Sequence, residues 1–248
     1  MRKTKYPILF LVFFGALFFL FGPEITPENL QPQEILNLAK DNDVIIIFNS
    51  GGWGNTPLEK AADFTPIIEG IKKTLEDFGY NSLVIPYIRT EDTLSGKIAG
   101  ARDFLSSYSS SSKILAKKVE FLTENLPDKK IILTGLSAGG ALVDEAMGKI
   151  ETKASVYAIE AGVPFWIKTF EAENILQLNN NGKDSLSAGE IRTLLFTLVK
   201  APFKWIFSKM NGQNLPFSQA FYVPGHEYSW SSPEVGSQIT TFLENKIR

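Results

Sequence analysis

The 248-residue chain contains no cysteine and a single histidine, His226. Without cysteine there are no disulfides, no thiolate nucleophile and no Cys-based metal site, and one imidazole excludes a multi-histidine metal centre. An excess of either charge is missing too: 25 basic and 27 acidic residues are mixed along the chain for a formal net charge of −2. No basic stripe marks a nucleic-acid partner. Internal repeats are lacking as well. Any chemistry must use Ser, Asp, Glu, Lys, Tyr and one imidazole, and no metal or organic cofactor is called for. With 44% hydrophobic residues, the length suits one α/β domain.

Long uncharged apolar runs are confined to one place. Arg2, Lys3 and Lys5 precede a stretch from Tyr6 to Pro23 with no charged residue. Its length lies between a cleavable signal-peptide core and a full membrane span, so residues 1–22 read as a signal anchor or a signal peptide. A small-x-small cleavage site is missing near Gly22 and no cysteine offers a lipid attachment, which favours an uncleaved anchor. The leading cations stay inside, so residues 24–248 face the extracytoplasmic side, or are exported if the leader is removed. Without the three cations the body carries a formal −5.

Residues 23–42, with three prolines, read as a linker holding one short helix near Gln33–Lys40. The domain spans 43–248 and alternates strands with helices. Asp43–Phe48, an unbroken β-branched run, has the pattern of a strand buried on both faces. A glycine-rich loop, Asn49–Asn55, follows, then a helix capped by Thr65, with Pro66 first and Gly79 as its stop. Further strands are read at Ser82–Ile88, Lys130–Thr134, Ser155–Ile159, Asn174–Asn180 and Gln219–Val223. Between them lie helices on Leu115–Leu126, Ala138–Ile150, a short one at Val163–Phe170, one from Ala188 to Met210 interrupted near Pro202, and a last one from Pro233. The expected fold is α/β: a mostly parallel sheet of about six strands with helices on both faces, preceded by one N-terminal hydrophobic helix. The serine run Ser106–Ser112 reads as a flexible loop. The apolar stretch Leu194–Phe207 reads first as core packing, with an acyl-chain wall or a membrane contact as alternatives.

The segment Lys130–Leu142, KIILTGLSAGGAL, runs from a strand through Gly135-Leu136-Ser137-Ala138-Gly139 into a helix. This is a Gly-x-Ser-x-Gly corner between strand and helix, where side chains at the flanking positions would collide with the elements they join. It lifts Ser137 off the sheet with a helix N-terminus beneath it, where negative charge is favoured. A serine hydroxyl needs a base, and the base needs an orienting acid. His226, between the last strand and the last helix, is the one available imidazole. Asp184, closing the preceding strand, is the favoured acid, and Glu160, at the end of another strand, is the alternative.

On GLSAGGA, the glycine loop after an early strand, the late Gly182-Lys183-Asp184 and PGHEYSW before a closing helix, the chain resembles the α/β-hydrolase superfamily from Asp43 to Ile247. The resemblance implies a serine hydrolase with a Ser137–His226–Asp184 triad and an oxyanion hole formed by the N–H groups of Ala138 and Trp53. It implies an ester or related acyl substrate, a small molecule or a lipid, and an acyl-enzyme intermediate. Thioester or peptide cleavage on the same triad, and a binding protein that keeps the fold without turnover, are the alternatives. The loop has Asn49-Ser50-Gly51-Gly52 where many members carry His-Gly, and the two leading antiparallel strands of the family have no room before Asp43. The short stretch from Gly162 to Asn174 leaves little for a cap, so selectivity falls to the loops at 89–112 and the helical region 188–215.

Overall fold

The structure, a computed structural model, describes residues 32–213, 215, 220 and 223–248. The expected N-terminal hydrophobic helix lies outside the described residues, as does most of the expected strand at Gln219–Val223. Five parallel strands form one sheet: β1 Val44–Asn49, β2 Ser82–Tyr87, β3 Lys130–Leu136, β4 Val156–Ala161 and β5 Ile175–Leu178, in the order β2-β1-β3-β4-β5. The pleat of β1 divides its apolar run between two cores. Ile45 and Ile47 face one side, and Val44, Ile46 and Phe48 face the other. Burial on both faces is why the run never alternates with polar residues.

Helices α1 Pro32–Leu38, α4 Ser109–Asn125 and α5 Ala138–Lys149 cover the first face, through Ile35, Leu115, Val119, Leu142 and Met147 among others. Helices α2 Thr65–Asp77 and α7 Gln238–Lys246 cover the second, through Ile67, Ile71, Ile239 and Leu243. Ile35 and Ala39 are fully buried, so part of the stretch read as a linker belongs to the body of the domain. Thr65 is the first residue of α2 rather than its cap: its hydroxyl donates to the Leu58 and Ala61 carbonyls. Gly79, at φ +87°, ends the helix as expected.

Three local expectations are corrected. Residues 163–170 form turns rather than a short helix, and Leu94–Leu105 forms a helix, α3, capped by Thr93, whose hydroxyl accepts the Gly96 N–H at 3.0 Å. The serine run is no flexible loop. Ser109 starts α4, and Ser111 and Ser112 are fully buried, the Ser111 hydroxyl donating to buried Asp103 at 2.7 Å and the Ser112 hydroxyl to the Ser109 carbonyl at 3.2 Å. The third correction concerns α6 Ile191–Met210, in which Ala201 and Ser208 are buried while Leu195, Phe196, Val199, Phe203 and Phe207 are exposed. Core packing does not account for its apolar residues.

From β1 the chain crosses to β2 on one side, and from β3 it proceeds to β4 on the other. The C-terminal ends of β1 and β3 are therefore neighbours from which the connections diverge. Such a switch point leaves a crevice outside the strand ends. The loop after Asn49 and the corner at Ser137 both open there.

Candidate active site

Ser137 sits between β3 and α5 with φ 54° and ψ −115°, a region that side-chain-bearing residues rarely occupy. Its strain is held by backbone. The Ser137 N–H donates to the Ala161 carbonyl at 2.7 Å, and the Ser137 carbonyl accepts the Ala141 N–H at 2.9 Å. A Cβ on Gly135 would strike the Gly139 backbone, and one on Gly139 would strike the Asn49 carbonyl. The two glycines let strand, helix and neighbouring loop converge on the serine. The first N–H groups of α5, beginning with Ala138, have no intrahelical acceptor and gather at this point.

Asp184 is fully buried, and its carboxylate is the hub of a donor network. Oδ2 lies 2.9 Å from His226 Nδ1 and accepts the Tyr228 hydroxyl at 2.6 Å and the Ser187 hydroxyl at 3.0 Å. Oδ1 accepts the Leu186 N–H at 2.9 Å. Burial alone would raise this carboxyl, but the hydrogen bonds from His226 and Tyr228 outweigh it and hold the group below its ordinary value. An ionised carboxylate only accepts, so the neutral ring carries its proton on Nδ1 and leaves Nε2 as an acceptor. That is the tautomer a general base needs.

The histidine is aimed by the loops around it. Asn180, in the left-handed region at φ 52°, donates through its side-chain amide to the carbonyls of Gly225 and Glu227 at 2.6 and 2.8 Å, and the Ser185 N–H donates to the Pro224 carbonyl. The acid loop and the histidine loop are thus stapled together. Gly162, at φ +63°, lies directly against the His226 ring, where a side chain would have no room. Since Ala161 accepts the Ser137 N–H, the imidazole rests on the residue next to the one that anchors the serine.

Glu160 is not brought to the histidine. It shares a face of β4 with Ala158, on the α5 side, whereas Tyr228 packs with Ile159 and Ala161 on the other. Fully buried, its carboxyl is pushed well above the ordinary value by burial and then by Asp144, which burial itself raises to about 6. Asp184 alone of the two acids meets His226.

The glycine loop lies against the serine. A Cβ on Gly51 would meet the Leu136 carbonyl oxygen at 3.0 Å and the Ser137 Cβ at 3.8 Å. The loop carbonyls are tied down on the opposite side by residues that follow β2. Arg89 Nη2 donates to the Gly52 carbonyl at 3.0 Å, the Arg89 N–H donates to the Gly54 carbonyl at 2.8 Å, and the Thr90 hydroxyl donates to the Trp53 carbonyl at 2.8 Å. The Gly52 C=O and the Trp53 N–H belong to one trans peptide and point in opposite directions. Holding the carbonyl therefore directs the Trp53 N–H away from Arg89. Arg89 is itself buried, 3.9 Å from Asp103 and with its guanidinium over the Tyr108 ring.

Sequence reading missed Arg89, Tyr228, Ser187 and Asn180. A signal existed for Arg89, a cation at the carboxyl end of an apolar strand. None existed for Tyr228, whose role depends on a fold that returns it to Asp184. Around the crevice the aromatic side chains are exposed: Trp53 lies on Gly100 of α3, Phe104 of the same helix meets Trp166 edge-on at 6.0 Å, and Trp166 meets Phe165 at 5.1 Å. Among the described residues, no group of three or more His, Cys, Asp or Glu side chains is arranged to hold a metal.

No family model matches the sequence and no curated protein matches it. Among solved structures it is similar to a Trichoderma reesei cutinase in complex with a phosphonate inhibitor, at 19% identity and a TM-score of 0.45 over 71% of this chain and 73% of that one. It is also similar to a Xanthomonas campestris member of the α/β serine hydrolases without a lid, at 11% identity and a TM-score of 0.33 over 62% of this chain and 63% of the other.

Proposed function

We propose that the chain is a serine hydrolase of the α/β-hydrolase type, acting on an ester or related acyl substrate. The observation that carries the reading is the buried Asp184 carboxylate 2.9 Å from His226 Nδ1, on an imidazole that rests on Gly162 beside the strained Ser137 corner. Ser137 Oγ attacks the acyl carbonyl while His226 Nε2 takes its proton. The N–H groups of Ala138 and Trp53 receive the developing oxyanion, the first from the start of α5 and the second from the loop that Arg89 holds. His226 then gives the proton to the leaving oxygen, and the Ser137 ester remains. Water, deprotonated by the same nitrogen, cleaves that ester and restores the serine. Asp184 fixes the tautomer throughout and stabilises the imidazolium. Residues 1–22 hold the enzyme at a membrane with its body on the extracytoplasmic side, or direct its export.

The test is labelling of the full chain by a fluorophosphonate, beside Ser137→Ala and His226→Ala. The expected result is labelling of the native chain, none of Ser137→Ala, and a rate reduced by orders of magnitude for His226→Ala. A folded native chain that resists the reagent would overturn the reading and favour a binding protein.

A further inference from the structure

Helix α6 is inside out. Its inward stripe, Thr193, Leu194, Thr197, Ala201, Trp205 and Ser208, recurs every three or four residues and is largely small or polar. Its outward surface is made of large apolar side chains, with Val199 62% and Phe203 60% exposed and Met210 more so. In water, burial of apolar area would turn such a helix the other way, so the exposed side is adapted to a different medium. The charges on that surface name the medium. Arg192, Lys200, Lys204 and Lys209 are exposed and α6 has no carboxylate, whereas the remainder of residues 24–248 has 18 basic against 27 acidic residues. Apolar side chains interspersed with cations, on an otherwise acidic body, are complementary to the headgroup and acyl boundary of an anionic bilayer.

The helix is also tied to the mouth of the crevice. Gly189, two residues before α6, lies against the Phe165 ring, and from Phe165 exposed aromatics continue through Trp166 and Phe104. Gly100, one turn before Phe104, bears Trp53 of the glycine loop. An apolar rim thus runs from the loop beside Ser137 to the start of α6. The uncharged stretch Tyr6–Pro23 behind three cations gives the chain a second feature suited to lipid.

We infer that α6, with the aromatic rim at its start, docks on an anionic lipid surface and sets the mouth of the crevice against the bilayer, so that the acyl substrate arrives from the membrane. The delivery of substrate rests on the hydrolase reading, whereas the docking does not.

The absence of cysteine allows one to be placed at will. The full chain, carrying Ser137→Ala to stop turnover and one of Val199→Cys, Phe203→Cys or Glu76→Cys, is labelled with an environment-sensitive dye and reconstituted into vesicles. Glu76, exposed near the end of α2 and just ahead of β2, reports on the opposite end of the sheet. Vesicles are of phosphatidylcholine alone or with about one third phosphatidylglycerol, enough to give the surface an attractive potential for cations. Docking predicts blue-shifted emission at positions 199 and 203, and quenching by nitroxide-bearing lipid several-fold above that at 76, on the anionic vesicles only. Arg192→Gln, Lys200→Gln, Lys204→Gln and Lys209→Gln together should erase the difference between the two compositions. Aqueous emission at 199 and 203 on both vesicles would overturn the inference. So would apolar emission without lipid quenching, which means that residues 6–23, a second copy or another protein covers the helix. Equal quenching on both compositions would refute recognition of anionic lipid. An inactive native chain that docks sinks the hydrolase reading and leaves this one standing.

Discussion

Arg89 offers the sharpest separation of architecture from catalysis. Its guanidinium and the Asp103 carboxylate are each 1% exposed and 3.9 Å apart. At an effective dielectric of about 20 this pair attracts by about 4 kcal/mol, which offsets only part of the cost of burial: burial still lowers the Arg89 guanidinium from its ordinary value and raises the Asp103 carboxyl. Arg89→Met alone leaves Asp103 buried without its counter-charge, a defect that costs about 3–5 kcal/mol of stability. Adding Asp103→Asn removes the uncompensated buried charge while its amide oxygen still accepts the Ser111 hydroxyl, so the double variant should regain most of the loss. Catalysis should not return with stability. The Gly52 carbonyl would lose its donor, the Trp53 N–H its direction, and loss of one oxyanion donor lowers turnover by about 10²–10³-fold. Urea unfolding measures the first effect. Hydrolysis of a chromogenic ester measures the second as a fall in kcat with KM little changed, which is what an interaction made only in the transition state requires. A double variant that is stable and turns over at the native rate would refute the assignment of Arg89 as the residue positioning the loop.

Two further predictions concern the buried carboxyls. Tyr228→Phe removes a 2.6 Å donor from a carboxylate held below its ordinary value, so it should cost about 1.5–3 kcal/mol at neutral pH. Asp184 stabilises the fold above its unfolded value near 4 and loses that contribution as pH falls through its lower folded value, so the cost should shrink towards pH 2, as read by urea unfolding at both ends. Glu160 and Asp144 behave in the opposite sense. Both are raised on folding, Asp144 to about 6, so the native state holds protons that the unfolded chain has released, and stability falls as pH rises from about 4 through about 6 and beyond. Glu160→Gln with Asp144→Asn should therefore raise the unfolding free energy read by urea more at pH 8 than at pH 4, by on the order of 1–3 kcal/mol. An equal change at both values would mean that the pair does not titrate on folding.

Much of the candidate site's local structure was legible because its parts are local. A β-branched run, a serine between glycines and a helix after it are spelled out by adjacent residues, and their steric demands do not depend on the rest of the chain. The choice between Asp184 and Glu160 was of another kind. Glu160 and Ala161 are neighbours in sequence on opposite faces of one strand, and only the way the histidine loop packs on Gly162 selects a face. The serine run misled because composition cannot register that Asp103, on another helix, accepts the hydroxyl and the N–H of buried Ser111.

By itself the sequence determined the α/β alternation, the strand-to-helix corner at Ser137, the presence of a single imidazole and the exclusion of cysteine chemistry, since each follows from covalent order and residue type. Tertiary structure alone decided which carboxylate meets His226, that Arg89 holds the loop beside the serine, and that α6 turns its apolar side outward. Those outcomes depend on which faces meet, and faces meet only after the sheet has assembled and brought residues tens of positions apart within hydrogen-bonding reach.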